Sequence, residues 1–179
     1  MILRILKLCD KTISQMNKCI FYFACFLIYP LVFIFIYDVV NRYFLSGASI
    51  WGIELVWMLT GSSVFLGGAY VLKENGHVRA DIIYQKVSAR GKFVLDLIGY
   101  MVFFFPFMFF MIGSCKTALV NSYIHAESSA QTSWLPLMWP CRMVLLISMI
   151  VLLLQGAVEL LRSMSAYFTP AAAIEEDEL

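Results

Sequence analysis

The sequence predicts an all-α integral membrane protein with four transmembrane helices and an N-terminal interfacial amphipathic helix. Two observations support this fold class. The chain has 179 residues and contains four long apolar stretches, each near the roughly 20 residues that cross about 30 Å of hydrocarbon as a helix. Hydrophobic residues make up 61% of the chain and charged residues 14%, against roughly 45–50% and about 25% in soluble domains.

The N-terminal segment, about residues 2–16, has the pattern of an amphipathic helix. Ile2, Ile5, Leu6 and Ile13 recur at helical spacing, and basic and polar residues fill the other face. A basic amphipathic helix of this kind lies in the membrane interface. The alternative is a plain cytoplasmic extension of the first span.

The predicted spans and the tail together account for the rest of the chain. The four spans cover about residues 19–40, 51–72, 93–115 and 136–161. Residues 1–168 are therefore expected to form a single membrane domain, in which Pro30 and Pro106 kink the first and third spans. The last segment, 169–179, is alanine-rich and then acidic, which predicts a disordered tail.

Positive charge predicts the orientation. Lysines and arginines concentrate before the first span and between the second and third: Arg4, Lys7, Lys11, Lys18, Lys73, Arg79, Lys86, Arg90 and Lys92. The other two connections carry few. Because short cytoplasmic loops are enriched in these residues, both termini are expected in the cytoplasm.

The residues that carry chemistry in enzymes are not arranged as an active site. The five cysteines lack metal-ligand spacing, and the sequence leaves open whether Cys115 and Cys141 form a disulfide. His77 and His125 fall on opposite sides of the predicted membrane, so they do not form a haem site. We therefore predict that the chain is not an enzyme, has no cofactor and binds no nucleic acid.

Charged and aromatic residues cluster at the predicted outer interface. Asp38 and Arg42 are four residues apart and share a helix face, and Trp51 and Glu54 begin the second span. Interfacial anchoring explains such residues in general. The alternative is that they pair with one another, as Arg42 with Glu54, or with a partner subunit.

Small residues in the second span indicate close helix packing. Ser63 and Gly67 form a small-xxx-small step, which lets two membrane helices approach closely. We find no convergent polar groups near the midplane and no internal repeat, which a solute carrier normally has. The pattern favours a scaffold for another membrane protein over a channel.

Several short motifs occur in one order along the chain. Asn-Arg-Tyr-Phe ends at Phe44, Phe-Leu-Gly-Gly-Ala-Tyr ends at Tyr70, and Gln-Thr-Ser-Trp-Leu-Pro ends at Pro136. The most specific element follows the second span and contains Gly76, His77, Arg79 and Asp81. In this order and topology, from Asp38 to Leu161, the chain resembles the DctQ family, the small permease subunits of tripartite ATP-independent periplasmic (TRAP) transporters.

The loop element has two interpretations. It could be a fixed turn that packs the inner loop on the membrane or on a partner, or an ordinary basic loop that begins a helix. One departure from the family pattern is Cys141-Arg142 after Pro140, where smaller or apolar residues are expected.

The resemblance implies a place in the bacterial inner membrane and three kinds of partner. These are a large multi-span TRAP permease subunit, a periplasmic substrate-binding protein and membrane lipids. The complex would take up an organic acid with sodium ions, and this chain would be the scaffold of the large subunit. Two other classes stay open: a self-sufficient small homo-oligomeric transporter, and an anchor subunit of another membrane complex.

Overall fold

The computed structural model describes residues 2–44, 47, 49–74 and 89–168. The described elements are α1 (Ile2–Phe26), α2 (Ile28–Phe44), α3 (Gly52–Lys73), α4 (Ala89–Ile98), a π-helical segment (Gly99–Phe104), α5 (Phe105–Ile124) and α6 (Trp139–Phe168). One isolated antiparallel bridge joins Ser128 and Leu137 in the connection between α5 and α6.

Four apolar helical stretches are long enough to cross a membrane. They are Thr12–Phe44, Gly52–Lys73, Gly91–Ile124 and Trp139–Met164, which we call the first to fourth spans. The prediction of an all-α chain with four membrane-spanning helices is therefore confirmed. The placement of the N-terminal helix in the interface stays a prediction, because α1 runs from Ile2 to Phe26 and joins that segment to the first span. The predicted disordered tail lies outside the described residues.

The first and third spans each show an interruption next to a proline. In the first span, α1 and α2 meet at a turn at Leu27, three residues before Pro30, which has no N–H to donate to the Phe26 carbonyl. In the third span, the π-helical segment ends two residues before Pro106. A wider turn at this point accommodates a residue that cannot form the ordinary helical hydrogen bond.

The fourth span is the centre of the arrangement. α6 contacts α1, α3, α4 and α5, whereas α2 packs mainly on α3 and α1. Among the described elements outside its own span, α5 has extensive contacts with α6 alone. The first and second spans thus form one group on α6, and the third span lies separately against it.

Apolar side chains and one glycine form the contact between the third and fourth spans. Met108 and Cys115 of α5 pack with Met149 of α6 in a buried cluster. Further along α6, Gly156 lies against the Phe104 ring, which occupies the space that a Cβ atom would need. This close approach depends on glycine having no side chain.

Candidate functional site

Asp38 holds the connection between α2 and α3 in place through hydrogen bonds. Its carboxylate accepts hydrogen bonds from the Ser49 backbone N–H (3.1 Å), from the Ser49 hydroxyl and from Arg42 Nη2 (3.1 Å). Gly52 begins α3 beside this carboxylate, and a Cβ atom there would overlap the Ser49 hydroxyl. Asp38 and Arg42 are thus brought together as their spacing predicts.

Trp51 adds an aromatic contact to the same connection. Its ring stacks on Tyr37 of α2 with centroids 5.5 Å apart and planes at 25°. Such offset stacking stabilises the contact beyond the burial of apolar area. The residues before and after the connection are therefore joined by a carboxylate and by a ring pair.

Glu54 is separate from that network. Its side chain is only 2% exposed, and neither carboxylate oxygen has a hydrogen-bond partner within the described chain. Arg42 bonds Asp38 instead, so the predicted ion pair between Arg42 and Glu54 is wrong for this structure. A buried carboxylate without a partner is costly, which makes Glu54 unusual among the residues predicted from sequence.

The two small residues of the second span behave differently. The Ser63 hydroxyl donates to the Leu59 carbonyl of its own helix at 2.9 Å. Gly67 is buried in α3, and a Cβ atom there would lie 3.9 Å from the Phe21 ring of α1. Gly67 therefore contacts the first span, with room for a methyl group.

The loop residues Gly76, His77, Arg79 and Asp81 lie outside the described residues. Their predicted role as a fixed turn on the membrane or partner stays a prediction. Cys115 and Cys141, whose pairing the sequence left open, are both free thiols in the structure.

Arg142 organises the connection between α5 and α6. Its two terminal nitrogens bond the two Glu127 oxygens, each at 2.6 Å, and Nη1 also donates to the Ala118 carbonyl at 2.9 Å. The backbone N–H of Met138 donates to the Glu127 carbonyl at 3.0 Å. The arginine that departs from the family pattern thus has an internal structural role, as a bidentate carboxylate partner.

A buried polar group on α1 and α6 was not anticipated from the sequence. Asn17 Nδ2 donates to Gln155 Oε1 at 2.6 Å, and both side chains are almost fully buried. One turn further along α6, Glu159 lies 3.6 Å from Arg162, and the Ser163 hydroxyl bonds Asp96 of α4 at 3.3 Å. The available signal was Gln155 itself, an uncharged polar residue inside the fourth apolar stretch.

An apolar groove lies between α3 and α6 near the end that carries Glu54 and Arg142. It has a volume of about 260 Å³ and is lined mainly by Trp57, Met58 and Gly61 of α3 and by Cys141, Val144 and Leu145 of α6, with Arg142 also in its wall. We call it the α3–α6 groove. Within the described residues, no three His, Cys, Asp or Glu side chains come close enough to hold a metal ion.

These features define a multi-pass membrane protein in which polar contacts such as Asn17 with Gln155 and Ser163 with Asp96 join different helices. The comparison with known families is more specific. The family model described as "Tripartite ATP-independent periplasmic transporters, DctQ component" matches residues 31–166, and the chain belongs to this family. It is a family of transporter components and not of enzymes. No curated protein and no solved structure matches the chain.

Proposed function

We propose that the chain is the small scaffold subunit of a TRAP transporter. In this role it holds a large permease subunit in the inner membrane, and the permease carries an organic acid, delivered by a periplasmic binding protein, together with sodium ions. The observation that carries the proposal is the family match over residues 31–166, which covers the second, third and fourth spans and residues 31–44 of the first.

The distribution of burial supports a scaffold. In each of the first three spans only 6% of an 18-residue apolar stretch is buried within the chain. Large side chains such as Phe33, Phe103 and Phe110 are mostly exposed. Exposed apolar surface of this extent fits lipid and a large membrane partner.

Reconstitution in liposomes tests the proposal. Three preparations are compared under an inward sodium gradient: the large permease alone, this chain alone, and both together. Each receives the binding protein and a radiolabelled dicarboxylate, keto acid or sugar acid. We expect uptake above background only when both chains are present, and we expect it to be lost when choline replaces sodium.

Two outcomes would contradict the scaffold function. Uptake by this chain alone would make it a self-sufficient transporter. Full uptake by the permease alone would remove the requirement for a scaffold. If the two chains do not copurify, the proposed partnership itself is wrong.

The proposed orientation places both termini in the cytoplasm, and cysteine labelling tests it. Ser133 and Glu74 are exposed and lie in connections at opposite ends of the bundle. In a background without native cysteines, an impermeant maleimide added outside intact cells should label Ser133→Cys and not Glu74→Cys. The reverse pattern would invert the orientation.

A further inference from the structure

A pocket of about 290 Å³ lies between α2 and α3, where the first span ends and the second begins. We call it the α2–α3 pocket. Two charged residues and four apolar residues that line it are Asp38, Arg42, Phe35, Val39, Ile53 and Val56. The two charged residues lie within the last two turns of α2, whereas Phe35 and Val56 lie further toward the middle of their spans. One end of the pocket is therefore charged and the other is apolar.

Aromatic residues indicate that the charged end lies at the depth of the lipid headgroups. Tyr37 precedes Asp38 by one residue, and its ring stacks on Trp51 at the start of the second span. Tyrosine and tryptophan concentrate at the boundary between hydrocarbon and water. The pocket thus extends from the headgroups into the hydrocarbon, where Val39 and Ile53 are 40% and 47% exposed.

The charged end can bind a cation and an anion together. Arg42 has five N–H donors, its side chain is 56% exposed, and among the described residues only its Nη2 forms a hydrogen bond, to Asp38 Oδ2. Both Ser49 donors bond the other Asp38 oxygen. Because each carboxylate oxygen can accept two hydrogen bonds, Oδ2 has room for one further donor. The pair as a whole is neutral, which complements a ligand that carries both charges.

The size of the pocket favours a hydrocarbon chain over a helix. On α2 the pocket extends from Phe35 to Tyr43, which is about 12 Å at about 1.5 Å per residue. A space of its volume and this length is roughly 5–6 Å wide, whereas a helix with its side chains is about 10–12 Å across. A single extended chain fits such a space.

We propose that the α2–α3 pocket binds one phospholipid whose headgroup carries a primary ammonium, as in phosphatidylethanolamine. The lipid phosphate accepts hydrogen bonds from Arg42, and the ammonium donates one to Asp38 Oδ2. One acyl chain lies in the apolar end of the pocket. A choline headgroup has no N–H to donate and a glycerol headgroup has no cation, so each satisfies only part of the site. This inference goes beyond the proposed function and does not depend on it.

Native mass spectrometry of the purified chain tests the headgroup contacts. Phosphatidylethanolamine, phosphatidylcholine and phosphatidylglycerol with identical acyl chains are each titrated into the detergent-solubilised protein. A hydrogen bond to a charged group typically contributes about 1.5–3 kcal/mol, which is about tenfold or more in affinity. We expect phosphatidylethanolamine to bind about tenfold more tightly than the other two lipids. Equal binding of all three, or tighter binding of either of the others, would overturn the inference.

The same titration with variants tests the location. Arg42→Gln should weaken phosphatidylethanolamine binding about tenfold, whereas Lys116→Gln, at an exposed cation of the third span, should not change it. Val39→Trp fills the apolar end without changing charge and should also abolish tight binding. Val120→Trp, at a similarly exposed valine of α5, is its control. Unchanged binding by a helical Arg42→Gln or Val39→Trp variant would place the lipid elsewhere and overturn the inference.

Photo-cross-linking in the complete complex distinguishes a lipid from a protein occupant. Phosphatidylethanolamine with a diazirine in one acyl chain should label α2–α3 pocket residues both in the purified chain and in the complex with the large permease. A benzophenone amino acid in place of Tyr43, which lines the pocket and is 78% exposed, reports a protein neighbour. Loss of the lipid label in the complex, together with a cross-link from position 43 to the permease, would overturn the inference and leave the proposed function intact.

Discussion

The third and fourth spans are similarly apolar, yet the protein uses them in different ways. Their mean hydropathies are 2.1 and 2.4, but 6% of the apolar stretch is buried in the third span and 44% in the fourth. In a soluble protein, burial follows hydrophobicity, because water drives apolar surface inside. In a membrane, lipid solvates an apolar helix as well as another helix does, so small residues and polar contacts decide which helix becomes central. Gly156 and Gln155 give α6 both features.

The largest expected difference between the two spans comes from filling a glycine site. Gly156→Leu places a side chain where the Phe104 ring lies, and overpacking of this kind typically costs about 1–3 kcal/mol. Gly113→Leu on the third span is the matched control, since nothing lies within 4 Å of a Cβ atom there. In detergent, the midpoint of thermal unfolding should be lower for Gly156→Leu than for the unmodified protein. Gly113→Leu should leave the midpoint almost unchanged. Equal losses would show that the third span is as tightly packed as the fourth.

A smaller effect is expected from the buried amide pair. Asn17→Leu leaves the Gln155 amide buried without its donor, and we expect a loss of about 0.5–2 kcal/mol, since interhelical hydrogen bonds in membranes are modest. Asn121→Leu, at an exposed asparagine of the third span, serves as the control. The same unfolding measurement applies, and the double variant Asn17→Leu with Gln155→Leu should recover part of the loss. If Asn121→Leu lowers the unfolding midpoint more than Asn17→Leu does, the buried amide pair is not a source of the fourth span's tighter packing.

The smallest expected effects concern the arginines of the two connections at one end of the bundle. Arg142 bonds Glu127 and Ala118, so Arg142→Gln should destabilise the 125–138 connection by about 1 kcal/mol. Arg42 is more exposed and, among the described residues, its ion pair is with Asp38 of its own helix, so Arg42→Gln should cost about 0–0.5 kcal/mol. Limited proteolysis should show faster cleavage within residues 125–138 for Arg142→Gln alone. Equal cleavage rates for both variants would show that Arg142 stabilises its connection no more than Arg42 does.

The fold was largely predictable because each span depends on local composition. Length, apolar content and the cost of unpaired backbone in lipid predict four helices without any knowledge of their neighbours. The interruptions beside Pro30 and Pro106 were predictable for the same reason, since proline removes a hydrogen bond from its own helix. Which span is central was not predictable, because hydropathy does not distinguish contact with lipid from contact with protein.

The residue-level site was only partly predictable. Asp38 and Arg42 pair as their i,i+4 spacing indicates. The pairing of Arg42 with Glu54 was wrong because Glu54 shares the α3 face of Trp57 and Met58, which line the α3–α6 groove, whereas Gly52 and Ile53 line a pocket with α2. The contact between Asn17 and Gln155 joins residues 138 positions apart, a separation for which helical periodicity carries no information.

The central position of the fourth span also determines when the molecule can become compact. A chain is made from its N-terminus, so its earlier parts can fold first. The first and second spans contact each other and can associate as soon as both are inserted. Among the described elements outside its own helices, the third span has extensive contacts with the fourth span alone. Within the described part of the chain, its main packing surface therefore appears only when the fourth span enters the membrane, and the order of synthesis makes that insertion the step that completes the four-span bundle.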